Sequence, residues 1–162
     1  MFLLDANAFM EANRLYYAFD IAPGFWTWLG GSTLAGQVGS IDAIRDEITA
    51  GTGDLVTWAG ALPSSFWVDD TDDVVAAMGA LAGWASDPTR GYRQEAVDEF
   101  MASADLKLIA HAMAIGGTVV TREQPAPDSK KKIKIPDVCN AFQVQWTGPF
   151  DAYRALGLLL TV

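Results

Sequence analysis

The chain is nearly without the two side chains on which much nucleophilic and transition-metal chemistry rests. It has one cysteine, Cys139, and one histidine, His111. A lone cysteine excludes an internal disulfide and fits a reducing compartment. No partner pattern makes Cys139 a nucleophile, and it reads as a small buried hydrophobe. One histidine cannot build a metal site, so His111 reads as structural. Positive charge is scarce as well: 11 basic residues stand against 20 acidic ones, for a net charge of −9. Bulk electrostatics therefore exclude nonspecific nucleic-acid binding, and contact with a phosphodiester requires a metal or a local basic patch. A membrane span is also lacking. The uncharged stretch 21–41 is broken by Pro23 and five glycines, which makes it a buried helix and turn rather than a span. With no basic segment before the first apolar residues, no signal peptide is expected, and the expected location is cytoplasmic.

What is present is apolar sequence in short, punctuated runs. Half of the 162 residues are hydrophobic (51%), enough for one domain over 1–162 with a real core. Phe2-Leu3-Leu4 is too short for a helix and reads as a strand buried on both faces. Helices are expected over 7–19, after Pro23, from a Ser40 cap to about residue 50, and over 55–62, 73–84, 92–101, 105–115, 136–142 and 150–158. Strands are expected at 66–68, 118–121 and 144–146. Residues 124–132 form a polar loop. Strands alternating with helices predict an α/β fold, a mostly parallel central sheet of four or five strands between two helical layers.

The acids are informative by position. Asp5 ends the first strand, where α/β proteins place ligands, yet it equally suits the cap of the next helix. Glu47 lies at the edge of the apolar arc set by Ile41, Ile44 and Ile48, whereas Asp42 and Asp46 project away from it. Asp105 shares the face of Ile109, Ala112 and Met113, though a helix-opening aspartate is also a cap candidate. Glu123 follows the strand that ends in Thr121. Parallel strands gather their ends on one edge, so Asp5, Asp105, Glu123 and Glu47 are expected around one crevice. Unpaired carboxylates repel one another there and raise their pKa values. A hard divalent cation, Mg²⁺ or Mn²⁺, resolves that repulsion.

The segments FLLDANAFM, SIDAIRDEI, SADLKLIAHAM, TVVTRE and KIPDVCNAF, in this order and spacing, resemble a PIN domain. They look most like the PIN-like subfamily long catalogued as a prokaryotic domain of unknown function. The resemblance covers nearly the whole chain. It implies a PIN-like three-layer α/β/α fold and a metal-dependent endoribonuclease, often the toxin of a toxin–antitoxin pair. By position, Asp5, Glu47 and Asp105 take the three core acidic places. Glu123 stands where such domains more often have aspartate. Asn7 and Thr121 are implied as supporting residues, with Asp137 as a further carboxylate. The implied cofactor is Mg²⁺ or Mn²⁺, and the chemistry is in-line hydrolysis leaving a 5′-phosphate and a 3′-hydroxyl. The implied partners are an RNA substrate and an antitoxin, a DNA-binding regulator encoded by a neighbouring gene, with a homodimer also compatible.

Lys130, Lys131, Lys132 and Lys134 form either a solvated loop or a grip on the RNA backbone, with Arg14 and Arg122 as helpers. The tryptophans of the 21–41 stretch, Trp26 and Trp28, read as core or dimer contacts rather than base platforms. Two other readings remain: a PIN-like RNA- or protein-binding regulatory module that cleaves poorly, and an aspartyl-phosphate domain built on Asp5 or Asp69-Asp70.

Overall fold

The computed structural model describes residues 1–160. Five parallel strands, β1 (Phe2–Leu4), β2 (Val38–Ile41), β3 (Trp67–Val68), β4 (Thr118–Val120) and β5 (Gln145–Thr147), form one sheet in the order β3-β2-β1-β4-β5. β1 is the middle strand, and its Leu3 pairs with Gly39 on one side and Val119 on the other. Sheet on both edges and helices on both faces leave Leu3 and Leu4 fully buried. That is why β1 reads as a continuous apolar run rather than an alternating one.

The helices are α1 (Ala6–Glu11), α2 (Pro23–Leu29), α3 (Asp42–Thr49), α4 (Asp54–Ala61) and α5 (Asp72–Ser86). After them come α6 (Gln94–Ala102), α7 (Ala104–Ile115), α8 (Ile135–Phe142) and α9 (Pro149–Ala155). They cover the sheet as the outer layers of a three-layer α/β/α fold. Local chemistry sets several ends. Proline stands in the first turn of α2, α8 and α9, where its missing N–H costs nothing. Thr71 caps α5 through the Val74 amide, and Gly116 ends α7 in the left-handed conformation at φ 64°.

Two expectations change. Ser40 is not a helix cap: it lies inside β2, and its hydroxyl donates to the Leu4 carbonyl at 2.6 Å. Pairing with strands on both sides overrides the capping preference of serine, and all four residues of β2 are buried. The helix expected over 7–19 also stops at Glu11, and Ala12–Tyr16 continues as a π-helical turn. Tyr17 then stacks on Phe25 and Phe19 on Trp26, with ring centroids 4.1 and 4.2 Å apart. The Trp26 indole N–H donates to the Tyr17 carbonyl, so this tryptophan belongs to the core. Among the described residues, no helix is long and apolar enough to cross a membrane.

Gly39 is the position of closest approach. A Cβ there would lie 2.5 Å from the Phe66 carbonyl oxygen and 2.6 Å from the end of Met1. Gly79, exposed in the middle of α5, has nothing within 4 Å of such an atom. Gly39→Ala is expected to lose about 1–3 kcal/mol through overpacking, and Gly79→Ala to gain about 0.5–1 kcal/mol from helix propensity. Urea unfolding midpoints check both; a Gly39→Ala midpoint at or above wild type would contradict the packing.

Candidate functional site

The strand order places a reversal at β1 and β4: the chain runs outward from β1 through β2 to β3, then returns to the other side of β1 as β4. Parallel sheets bind ligands in the crevice at the carboxyl ends of strands beside such a reversal. Asp5 directly follows β1 and Thr121 directly follows β4. The Thr121 hydroxyl donates to Asp5 Oδ2 at 2.6 Å, and the Ala8 amide donates to Asp5 Oδ1, also at 2.6 Å. Asp5 is therefore the cap of α1 and stands at the carboxyl edge of the sheet beside the reversal. It is 2% exposed. Burial pushes its pKa up to about 7, with Asp105 and Glu123 adding repulsion against the lowering effect of its two hydrogen bonds.

Asp105 is the second residue of α7, and the cap position belongs to Ser103, so capping does not account for it. Burial, then Glu123 and Glu47, raise its pKa to about 6, opposed by Lys132 and Lys134. Asp5, Asp105, Glu123 and Glu47 thus share one electrostatic neighbourhood. Neither Asp5 nor Asp105 forms an ion pair among the described residues.

Glu123 differs. Lys134 Nζ donates to its Oε1 and the Ile135 amide, at the start of α8, to its Oε2, both at 2.8 Å. Unlike Asp5, whose two partners are neutral, Glu123 is charge-paired with a lysine. Glu47 is exposed on α3. Among the described residues, no three of Asp, Glu, His and Cys come close enough together to hold an ion. The donor chemistry nevertheless fits one metal. Mg²⁺ retains several waters and is commonly bound by one or two carboxylates plus substrate phosphate, not by an all-protein cage. Asp5 and Asp105 supply two such carboxylates.

The other expected residues are scattered. Asn7 is exposed and makes no side-chain hydrogen bond among the described residues. Both Asp137 oxygens take the Ala126 amide, at 3.0 and 3.1 Å, which pins the 124–134 loop rather than joining the acids. Arg122 is committed to Glu11 and the Tyr16 hydroxyl, and Arg14 is exposed on the π-helical turn. Lys132 lies 3.8 Å from Glu99, Lys130 sits over the Tyr92 ring and Lys131 is exposed. His111 is buried in the wall of a cleft of about 380 Å³ that Glu47 also lines. Its Nδ1 faces the Lys107 carbonyl at 2.8 Å and its Nε2 lies 3.1 Å from Asp70 without hydrogen-bond geometry. Cys139, on α8, is wholly buried, and burial pushes its thiol up to about 12.

Residues 2–159 match the family model described as a domain of unknown function, DUF4411. The chain belongs to that family. Searches among curated proteins and among solved structures return no match. Sequence reasoning about this DUF4411 chain missed the pairing of Lys134 with Glu123. Their spacing of 11 residues across a loop carries no periodic signal.

The raised carboxyls set a pH dependence. In the folded protein Asp5 and Asp105 keep their protons up to about pH 7 and about pH 6, against 3.8 for the ordinary side chain. The folded state thus binds more protons than the unfolded one across this window, so these two groups lower stability as pH rises from about 4 to about 7. Asp105→Asn removes one charge and relieves Asp5. It is expected to be within error of wild type near pH 4 and about 1–2 kcal/mol more stable near pH 8, read from urea unfolding at both values. A difference that does not grow with pH would contradict the coupling.

Proposed function

We propose that this protein is a PIN-like, metal-dependent endoribonuclease acting as a toxin, with Asp5 and Asp105 as the carboxylates that hold Mg²⁺ or Mn²⁺. One observation carries the reading. Asp5 at the end of β1 is buried and Asp105 at the start of α7 is half-buried. The two repel each other, and neither is ion-paired among the described residues. That combination costs stability unless a cation is bound. The sequence resemblance to PIN domains supports the same conclusion. When bound, the ion supplies a water acidified toward neutral pH and positive charge for the phosphoryl oxygens. Asp5 is kept in place by Thr121 and Ala8. Glu123 positions the Lys134 ammonium beside the acids, where it can meet a phosphate oxygen as a point charge. Glu47, on the exposed rim, deepens the negative potential around Asp105. The proposed macromolecular partners are the RNA substrate and an antitoxin from a neighbouring gene.

The engagement of Glu123 by Lys134 favours a second reading, a binding or regulatory module of the same family that cleaves poorly. An ammonium in place of a second ion neutralises charge but activates no water.

Cleavage of single-stranded and structured RNAs, with Mn²⁺ and with chelator, decides between them. Wild type is expected to cut only with metal, Asp105→Asn to lose on the order of 10² or more in rate, and the outward-facing Asp46→Asn to match wild type. Mn²⁺ should also raise the melting temperature of wild type and not of Asp5→Asn/Asp105→Asn, because an ion that binds only the folded state stabilises it by mass action. Wild-type activity equal to the chelated baseline on every RNA would overturn the nuclease reading in favour of the module.

A further inference from the structure

Basic residues are few but not evenly spread. Six of the 11, Arg90, Arg93, Lys130, Lys131, Lys132 and Lys134, fall within 90–93 and 130–134. The Arg93 amide donates to the Lys130 carbonyl at 2.9 Å and joins the two segments. Between them opens a cleft of about 420 Å³ whose lining includes Trp84, Arg90, Tyr92, Lys130, Asp137 and Asn140, a volume in the range of small-ligand sites. The rings of Trp84 and Tyr92 lie 5.7 Å apart, centroid to centroid. The Arg90 guanidinium stands 5.0 Å from the Trp84 ring and the Lys130 ammonium 5.3 Å from that of Tyr92. Both cations are exposed.

We propose that this cleft is a nucleotide subsite that takes one unpaired base of single-stranded RNA against its aromatic walls and the adjoining phosphates at its basic rim. The exposed arginine and lysine lie over the ring faces, so a base that stacks on a ring takes the place of the cation, which is then free to meet the adjoining phosphate. Asn140 accepts from the Trp146 indole through Oδ1, which leaves its amide N–H₂ free to donate to a base edge. In a chain of net charge −9, this local concentration of cations supplies what the bulk field opposes. The cleft also adjoins the cluster of acids through α8. The helix's first amide binds Glu123, and Asp137 and Asn140, further along it, line the cleft. Identification of the polymer as RNA rests on the ribonuclease reading; the cleft's fit to a base and phosphate does not.

The test is anisotropy of a short fluorescein-labelled oligouridylate in chelator, where no cleavage intervenes. Tyr92→Ala is expected to weaken binding about tenfold or more, as loss of one stacked base does, and Tyr92→Phe, which keeps the ring, to stay within about twofold of wild type. Arg90→Gln/Lys130→Gln is expected to lower the log–log salt slope by about 1.4, the release of two single-strand phosphate contacts. Should Tyr92→Ala fail to fold by circular dichroism, the charge pair and photocrosslinking of 4-thiouridine to the Tyr92 peptide answer the same question. Unchanged affinity and salt slope in the folded variants, with metal-dependent cleavage intact in wild type, would sink the subsite and leave the nuclease standing. Tyr92-dependent binding without cleavage would do the reverse, and absence of binding by wild type would overturn the subsite outright.

Discussion

The hydrogen bond from Thr121 to Asp5 carries the organisation of the site. It links the ends of β1 and β4 across the point where strand order reverses, and the Thr121 oxygen in turn accepts from the Glu123 amide at 3.1 Å. One hydroxyl thus fixes the buried carboxylate and the start of the segment that leads to α8. Asp5 completes the arrangement by capping α1 through Ala8. A group anchored at both oxygens cannot swing away from its neighbours, so its repulsion by Asp105 has no easy release. The sheet supplies that rigidity because β1 is hydrogen-bonded on both sides.

Around this point the charges divide. Acids gather at the strand ends and line the cleft of Glu47 and Asp70, whereas the cations collect on the segments joined by Arg93 and Lys130. Lys134 stands at the border with its ammonium on Glu123. α8 begins at this border: its first amide answers the acidic side and its second turn faces the basic cleft. A polyanion following the cations would be brought toward the acids, where its own charge is tolerable only beside a metal or Lys134.

The sequence made four of the five strands legible because each is a short run with aromatic, β-branched or leucine side chains between punctuating residues, and the α/β class followed from their alternation with helices. β2 was hidden. Val38-Gly39-Ser40-Ile41 is short, contains a glycine, and presents a serine where a helix cap is plausible; only pairing on both sides reveals the strand. The acids were legible in part. Asp5 and Asp105 stand out through their strand-end and apolar-face positions, and capping proved compatible with a site at Asp5 but was not the role of Asp105. The engagement of Glu123 depends on how a loop folds back, which no residue period encodes. The Trp84–Tyr92 cleft was equally hidden, since its lining comes from α5, the following turn, a loop and α8.

Cys139 gives α8 a clock. The chain's single thiol is fully buried in that helix, with its pKa pushed up to about 12. An alkylating reagent meets almost no thiolate while the helix is seated. Modification therefore proceeds at the rate or frequency with which α8 lifts from the sheet, not at the reagent's own pace. Since α8 touches both Glu123 and the aromatic cleft, anything that binds at either and holds the helix down slows the same chemical signal, with no label added to the protein.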